Sequence, residues 1–339
     1  MRTKSVSKAA VAAYLAGRAA NEASNDKEEK DLTMPCPMLS ELPNPPADKT
    51  GWPWTEESER VPDSMPDGKP WPKVSVVTPH LNQRPFIEET IRSILLQGYP
   101  DIEHIVIDGG STDGSLELIE QYSPWVKCVV QKGEGQSAAV NRGFTLAAGD
   151  LIGWQNSDDF YGPNCFRQVA LAAAQHPDCA IFNGMVRGFQ GQDSRPPWIF
   201  ENCNEFSQEK LLKEVCVMNQ SMFFRRKVFD KGVFLKDDLH FAMDQEFFWR
   251  LSLEGFLYLL VPSMIGYYRQ HENAKSTSYN VSADLEPYAI LRGLCRDRRL
   301  DRRLRLRARE QLRARFMNSF FHARRTLLKK LALELILPI

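Results

Sequence analysis

The chain has 339 residues, of which 43% are hydrophobic and 25% are charged, a balance typical of one large globular domain or two ordinary ones. Its formal net charge is zero, but residues 292–330 carry a net charge of +12 that the rest of the chain offsets. The seven scattered cysteines form no CxxC pair, which argues against a zinc site or a disulfide framework and favours a reducing compartment. No run of about eighteen apolar residues occurs, so we expect no membrane-spanning helix.

The first 72 residues do not show the pattern of a folded core. The basic, Ala-rich stretch 1–20 lacks the apolar run of a secretory signal, which leaves a short amphipathic helix or a transit-like segment. A charged run and frequent prolines follow, so we expect 1–72 to be a mostly disordered tail and a Pro/Trp-rich linker. Trp52, Trp54 and Trp71 are unusual in a disordered segment, and we expect them to pin the linker onto the folded body.

From Val74 onward, short β-branched runs alternate with amphipathic helical segments. Val74 begins a buried strand, and Ile87, Ile91 and Ile94 then recur at helical spacing. Further strands are predicted in "IEHIVID", "VKCVVQ" and "DLIGWQN", and further helices in "SLELIEQYS" and "GQSAAVNRGF". This alternation predicts βαβ units, a mostly parallel sheet with helices on both faces, and ligands bound at the carboxyl ends of the strands.

The second half of the chain is less regular. We predict a strand in "CAIFNGMVRGF", helices in "SQEKLLKEV" and "DQEFFWRLSLEGF", and a closing pair of strands in "LYLLVPSMIGYYRQH". Beyond Asp284 the chain becomes an Arg-rich helix. The α/β domain is therefore predicted over 73–280, with a basic amphipathic helical extension over 281–339.

The turn "DGGSTDGS" after the second strand combines glycines with two carboxylates, Asp108 and Asp113. The carboxylates would repel phosphate and the P-loop lysine is missing, so they suit the hydroxyls of a ribose or the N–H edge of a base better. The alternative is an ordinary Asp-Gly turn in which Ser111 or Asp113 caps the next helix. The residues alone leave both interpretations open.

Two adjacent carboxylates, Asp158 and Asp159, follow the strand "DLIGWQN". Adjacent carboxylates raise one another's pKa unless a cation compensates their charge. Magnesium is usually shared between one or two carboxylates and substrate phosphates, and a metal-bridged nucleoside diphosphate is the better leaving group. The alternative is a solvated turn that caps the next helix.

Two later segments carry further candidates. "MDQEFFWRL" places Asp244 and Glu246 at the start of a helix, where acids either match the helix dipole or provide a general base for a hydroxyl. "YYRQHENAKSTS" contains Arg269, His271 and Lys275, which either grip a diphosphate or lie in a solvated loop.

These motifs, in this order over about residues 51–278, resemble the family 2 glycosyltransferases of bacterial type. The resemblance implies an α/β domain of GT-A (nucleotide-diphospho-sugar transferase-like) fold, with a mostly parallel sheet flanked by helices, followed by the C-terminal helical extension. It implies an inverting enzyme of polysaccharide or glycoconjugate biosynthesis. Such an enzyme uses a UDP-, GDP- or dTDP-sugar donor, Mg²⁺ or Mn²⁺, and a sugar or lipid-linked sugar acceptor.

The resemblance also implies roles for individual residues. Asp158 is the metal ligand of the D-x-D motif, and Asp244 falls at the position of the catalytic base. The residues that it places around the donor are Thr78, Pro79, Asp108, Asp113, Arg142, Asn156, Asp159, His271 and Lys275. Without the resemblance, Arg142 is equally well explained as an exposed helix residue with no role at the diphosphate.

Several positions depart from the family pattern. Asn156 replaces an acid at the first D-x-D position, and His80, Leu81 and Ala138 are also atypical, which bears on the identity of the donor. A nucleotide-sugar-binding protein without catalysis, in which Asn156 marks a decayed metal site, is the alternative function. A nucleotidyltransferase would require a basic Gly-rich N-terminal loop that the sequence does not contain.

The basic extension interleaves arginines with leucines and phenylalanines between Leu294 and Phe321. Such a helix either lies on an anionic membrane surface or packs against the catalytic domain or a partner subunit. No recognition motif for nucleic acid accompanies the charge, so we expect no nucleic-acid partner. We expect a cytoplasmic location. If the extension lies on a membrane surface, the protein would make peripheral contact with the inner face of the membrane.

Overall fold

The structure is a computed structural model that describes residues 35–190, 198–200, 207–213, 217–275 and 281–315. The Ala-rich N-terminal stretch and the apolar end of the chain beyond residue 315 lie outside the described residues. The sequence-based predictions for those segments, and the predicted domain boundaries, therefore stay predictions.

Strands and helices alternate through most of the first half of the described chain. In chain order they are β1 (Val74–His80), α1 (Arg84–Leu95), β2 (Ile102–Asp108), α2 (Ser115–Glu120), β3 (Val126–Val130), α3 (Gln136–Leu146), β4 (Leu151–Trp154), β5 (Phe160–Tyr161) and α4 (Cys165–Gln175). The alternation as far as β4 is the one that the sequence predicts, and the short strand β5 and the helix α4 then follow without having been predicted.

The second half adds β6 (Cys179–Gln190), β7 (Trp198–Phe200), α5 (Gln208–Lys213), β8 (Met222–Arg225), α6 (Lys227–Asp230), α7 (Met243–Leu253), β9 (Leu257–Gln270), α8 (Val281–Leu294) and α9 (302–315). The predicted closing pair of strands is wrong, because β9 is one strand of 14 residues. Pro262 has no N–H for the ladder, and the pairing of β9 with β6 shifts register between Asn183 and Met185, opposite that proline. The strand therefore continues through it.

The strands form one mixed sheet in the order β3-β2-β1-β4-β8-β6-β9-β5, with β7 paired to β6. The first four strands of this order are parallel, as βαβ connections require. Beyond β4 the pairing is antiparallel at β8 and parallel again between β6 and β9. The predicted α/β fold with C-terminal helices is confirmed, and its parallel part lies at the β3–β4 side.

Helices cover both faces of the sheet and enclose two apolar cores. On one face, α1 and α4 bury residues such as Ile91 and Phe166 against the strands. On the other face, α3, α6 and α7 bury residues such as Phe144, Phe229 and Phe247. These cores hold the carboxyl ends of β1, β2 and β4 at one edge, which we call the carboxyl edge.

Tryptophans anchor the segment 35–72 to the domain, as expected from the sequence. Trp54 and Trp71 are 6% and 7% exposed, and the indole N–H of Trp52 donates a hydrogen bond to the carbonyl of Tyr161 (2.9 Å). Buried aromatic area of this size stabilises the docking of a segment that contains little regular structure.

Arg92 on α1 is the central polar anchor for the same segment. Its fully buried guanidinium donates hydrogen bonds to the carbonyls of Pro43 (2.9 Å), Pro53 (3.1 Å) and Trp54 (2.9 Å). It also donates to the hydroxyl of Tyr122 (3.2 Å). These carbonyls receive their hydrogen bonds from one buried side chain, so the side chain and the segment depend on each other.

We expect Arg92→Met to destabilise the protein by about 3 kcal/mol, because charged hydrogen bonds are lost and buried carbonyls are left unpaired. Chemical denaturation measures the free energy of unfolding. Arg167→Met, at a half-buried position on α4, is the matched control and should change it by less than about 0.5 kcal/mol. An equal effect of the two substitutions would contradict the anchoring role of Arg92.

The described part of the basic extension packs onto the domain. Leu300, Leu304 and Ala308 lie at 8% exposure or less and form an apolar cluster with Trp249 of α7 and Leu294 of α8. At these residues, the apolar stripe of α9 is therefore buried against the domain. Within the described ranges, no helix is long and apolar enough to cross a membrane.

Candidate active site

The polar residues that the sequence analysis singled out at strand ends meet at the carboxyl edge. His80 is level with Asp108 in the parallel register of β1 and β2, and the segment 155–159 follows directly on β4. Because β1 lies between β2 and β4, all three ends open on the same side of the sheet. A ligand held there would contact several strands at once.

Thr78 and Pro79 are buried in β1 just below the carboxyl edge. The hydroxyl of Thr78 lies 3.0 Å from Nε2 of His104. Burial lowers the pKa of His104 to about 3, so that ring is neutral at pH 7. The Thr78 side chain is thus engaged within the sheet, where it supports the floor of the site, and its predicted contact with a donor stays a prediction.

Asp108 is fully buried at the end of β2 and organises the turn that follows it. Its Oδ1 accepts hydrogen bonds from the N–H groups of Gly110 (2.7 Å) and Ser111 (2.9 Å), and its Oδ2 accepts one from the Ser111 hydroxyl (2.5 Å). Nε2 of His80 lies 3.9 Å from the same Oδ2. Burial lowers the pKa of His80, although the nearby carboxylates oppose this shift.

Asp113 shapes the far side of the same turn. Its carboxylate accepts hydrogen bonds from the N–H groups of Arg84 (2.9 Å) and Ser115 (3.1 Å) and from the Ser115 hydroxyl. Partial burial would raise the pKa of Asp113, but these hydrogen bonds outweigh it and lower that pKa. A turn at residues 108–115 is therefore present, but Gly114, and not Ser111 or Asp113, occupies the N-cap position of α2, where no side chain forms a capping hydrogen bond. Arg142 is exposed on α3, and its predicted role near a diphosphate stays a prediction.

Asp158 and His271 form the closest pair of metal-ligating side chains at this edge. Nε2 of His271 lies 3.1 Å from Oδ2 of Asp158, and the two side chains are 9% and 21% exposed. The ring of His271 also packs on Phe86 of α1, with the ring centroids 4.5 Å apart. The fold thus brings the loop after β9 against the segment after β4. These two segments are far apart in the sequence, so no local pattern predicts their contact.

Asp159 points the other way, into the protein. Its Oδ1 accepts a hydrogen bond from the N–H of Arg269 (2.9 Å), and its Oδ2 accepts bonds from Gln220 (2.8 Å) and Asn156 (3.2 Å). Burial, and next the charge of Asp158, raise the pKa of Asp159 well above its usual range. Of the two adjacent carboxylates, Asp159 braces the loop, and only Asp158 remains available to a cation.

Arg269 ties the two loops together beneath this pair. Its Nε donates a hydrogen bond to the carbonyl of Asp158 (3.1 Å), and its guanidinium forms a salt bridge with Glu89 of α1. The same guanidinium lies over the ring of Phe86, 5.0 Å from its centroid. Arg269 is 6% exposed, so it supports the site from within.

Gln136, the first residue of α3, joins Asn156 to Lys275. Its Nε2 donates a hydrogen bond to Oδ1 of Asn156 (3.2 Å), and its Oε1 accepts one from Nζ of Lys275 (2.9 Å). The Asn156 oxygen also accepts a hydrogen bond from the Trp154 indole (3.1 Å). The amide at the first D-x-D position is therefore committed to protein contacts on both of its polar atoms.

Asp244 and Glu246 differ in their surroundings at the start of α7. Glu246 is paired with Lys236 (2.6 Å) and Arg250 (2.8 Å), which neutralise its charge. Oδ1 of Asp244 accepts a hydrogen bond from the next backbone N–H, that of Gln245 (2.7 Å). Burial raises the pKa of Asp244, while the charge of Lys275 opposes this shift. The predicted role of Asp244 as a general base stays a prediction.

Sequence reasoning did not single out Gln136 as a site residue. It follows two glycines in "KGEGQS", and a polar residue at the first position of a helix that starts near a sheet edge is the signal that could have identified it. The link from Gln136 to Lys275 spans 139 positions, so the contact itself follows only from the fold.

No three His, Cys, Asp or Glu side chains cluster as a ready-made metal site among the residues that the structure describes. The pair of Asp158 and His271 nevertheless fits a cation that takes its remaining ligands from a substrate and from water. One carboxylate with substrate phosphates is the usual arrangement for Mg²⁺, and an added imidazole nitrogen suits Mn²⁺ better.

Comparisons with known proteins agree with this geometry. The family model described as "Glycosyl transferase family 2" matches residues 75–233. An uncharacterized glycosyltransferase of Mycobacterium tuberculosis is 32% identical over 189 residues, which cover 54% of this chain and 70% of that protein. The uncharacterized glycosyltransferase EpsJ of Bacillus subtilis is 28% identical over 218 residues, or 60% of this chain. The match to EpsJ spans 62% of that protein, less than two thirds.

Two solved structures share the fold. The structure of S. aureus TarS 1-349 in complex with UDP-GlcNAc superposes on this one with a TM-score of 0.56 at 20% sequence identity. The superposition covers 71% of this chain and 70% of the TarS chain. The mannosyltransferase PcManGT from Pyrobaculum calidifontis, in complex with GDP-Man and Mn²⁺, gives a TM-score of 0.52 at 14% identity, with 97% and 91% coverage.

The fold, a mixed sheet with acids at its carboxyl edge, is thus of the GT-A class of glycosyltransferase folds. The chain belongs to glycosyl transferase family 2, and the resemblance seen in its sequence motifs is confirmed.

Proposed function

We propose that the protein transfers a sugar, with inversion, from a nucleoside diphosphate sugar to a hydroxyl acceptor. The observation that carries the proposal is the pairing of Asp158 with His271 at the carboxyl edge, where Gln136 joins Asn156 to Lys275, whose charge in turn acts on Asp244. The nucleotide sugars named in the TarS and PcManGT structures support the donor class.

In the proposed reaction, the Asp244 carboxylate accepts the proton of the acceptor hydroxyl as its oxygen attacks the anomeric carbon. The bond from that carbon to the diphosphate breaks as the new glycosidic bond forms on the opposite face, which inverts the configuration. Asp108 and Asp113 face the nucleoside, and Arg142 and Lys275 provide positive charge for the diphosphate.

Asp158 and His271 are the residues that would hold Mg²⁺ or Mn²⁺ in this reaction. The ion supplies stabilisation of the charge that develops on the departing diphosphate. Arg269 holds the Asp158 backbone and Phe86 packs on the His271 ring, and these contacts support the pairing of the two side chains. The Mn²⁺ named in the PcManGT structure supports this assignment.

A donor screen tests the proposal directly. UDP-, GDP- and dTDP-sugars are incubated with the protein and with sugar or lipid-linked sugar acceptors, with and without Mn²⁺, and release of the nucleoside diphosphate is measured. Acceptor-dependent release from at least one donor supports a transferase. Thermal stabilisation by a donor without release from any of them would instead favour the non-catalytic nucleotide-sugar-binding protein.

We also propose that the protein acts in polysaccharide or glycoconjugate biosynthesis from the cytoplasm, at the inner face of the membrane. The exposed residues Arg302, Arg309 and Arg313 follow one side of α9, opposite the stripe that packs on the domain, and Leu306 beside them is 45% exposed. A positive face of this kind suits an electrostatic contact with anionic lipid.

Replacing Arg302, Arg309 and Arg313 together by Gln should weaken binding to phosphatidylglycerol-containing vesicles by about 100-fold, since each basic residue contributes about 1 kcal/mol. Co-sedimentation with these vesicles measures the effect, and Lys69→Gln, at an exposed position far along the sequence, is the control. Equal binding of the triple variant and the wild type would contradict the membrane contact.

A further inference from the structure

A carboxylate from α8 holds the loop that leads into α7. Oε1 of Glu286 accepts a hydrogen bond from the N–H of His240 (2.8 Å), and Oε2 accepts bonds from the N–H groups of Phe241 and Ala242 (2.7 Å each). Three consecutive backbone donors thus converge on one side chain that is 8% exposed. Such a set of charge-assisted bonds fixes the path of the backbone.

This contact determines how the chain enters α7. Ala242 occupies the position before the helix and has no side-chain oxygen with which to cap it. The carboxylate of Glu286 therefore takes over the role of fixing the helix start, from a different part of the chain. Asp244 lies two residues after Ala242, so a displacement of the loop would displace the base.

The same loop is held from its other side by α3. The hydroxyl of Ser137 donates a hydrogen bond to the carbonyl of Leu239 (2.8 Å), and the Asn141 amide donates one to the Asp237 carboxylate (2.7 Å). The loop 237–242 is thus clamped between the α/β domain and α8. The charge of Glu286 also acts on Asp244, where it raises the pKa, while the charge of Lys275 lowers it.

We propose that Glu286 is a positioning residue for the transfer reaction: it holds residues 240–242 so that the Asp244 carboxylate faces the acceptor hydroxyl at the carboxyl edge. The extension beyond residue 280 thereby completes the active site of the α/β domain. The identity of the reaction in this proposal rests on the proposed function, whereas the anchoring of the loop does not.

Hydrogen–deuterium exchange tests the anchoring in the full chain. In Glu286→Ala, the amides of residues 240–242 should exchange about 10- to 100-fold faster, because each loses a charge-assisted hydrogen bond. Glu286→Gln keeps the side-chain volume and one carbonyl oxygen, so it should fold and show a smaller increase. Glu310→Ala, at an exposed position on α9, is the matched control and should leave the rate unchanged. An unchanged rate in both Glu286 variants overturns the proposal, whether or not the protein transfers sugar.

Steady-state kinetics separate positioning from a structural contribution. We expect Glu286→Ala to lower kcat about 100-fold, because a base displaced by about 1 Å reacts poorly, while KM for the donor is unchanged. Glu286→Gln should restore part of kcat. Faster exchange with an unchanged kcat would overturn the positioning role. If the wild type transfers no sugar in the donor screen, the proposed function fails, and the exchange experiment still decides the anchoring.

Discussion

Asp244→Asn is expected to lower kcat for sugar transfer by about 10²- to 10⁴-fold, with little change in the dissociation constant of the donor. Asparagine has the volume of aspartate but cannot accept the proton of the acceptor hydroxyl. The partner carboxylate Glu246 cannot replace it, because Lys236 and Arg250 already neutralise Glu246. The rate is measured as acceptor-dependent release of the nucleoside diphosphate, and donor binding by calorimetry.

Asp63→Asn is the matched control for this prediction, since Asp63 is exposed in the segment 35–72, outside the loop before α7, and should leave kcat unchanged. The pH profile gives an independent check. A base must be ionised to act, and burial raises the pKa of Asp244, so activity should fall as the pH drops through a value above the ordinary range of an aspartate. A transfer rate near that of the wild type in folded Asp244→Asn would show that another group is the base.

Asp158→Asn should abolish the Mn²⁺-dependent part of donor binding and lower kcat/KM about 10²- to 10³-fold. The substitution removes the negative charge that attracts the cation and keeps the shape of the side chain. His271→Ala should have a smaller effect, about 10- to 100-fold, because the carboxylate remains. Thermal stabilisation by the donor, with and without Mn²⁺, measures metal-dependent binding, and nucleotide release measures turnover.

Asp178→Asn and His176→Ala provide matched controls for the metal prediction, because both residues are exposed near the end of α4 and away from the carboxyl edge. Each should preserve the difference between donor binding with and without Mn²⁺. If Asp158→Asn kept that difference intact, the cation would have to be held elsewhere, and the pairing of Asp158 with His271 would be only structural.

The order of strands and helices as far as β4 could be predicted from the sequence, because each element there is a short buried run or a regular amphipathic stretch. Residues such as Ile87, Ile91 and Ile94 lie on one face of α1, as their spacing predicts. The predicted strand pair near Pro262 failed because a proline usually ends a strand. Here a shift in register absorbs the missing N–H of that residue.

The surroundings of the two adjacent carboxylates could not be predicted from the neighbouring sequence. The local sequence does not distinguish Asp158 from Asp159, and only the resemblance to the family singled out Asp158 as the metal ligand. The fold separates them, because Gln220 and the backbone of Arg269 bind Asp159 from inside while His271 meets Asp158 at the surface of the site. Gln220 precedes β8, Arg269 lies in β9 and His271 follows β9, so all three partners are more than 60 positions away along the chain.

By itself, the sequence determined the family, the α/β fold and the set of acidic residues at strand ends. These follow from periodicity and from motifs within a few residues of one another. Only the tertiary structure decided that Asp158 pairs with His271, that Gln136 bridges Asn156 and Lys275, and that Glu286 fixes the loop before Asp244. The physical reason is that hydrogen bonds and ion pairs act over about 3 Å in space, and sequence spacing does not encode which distant segments the packed sheet brings within that distance.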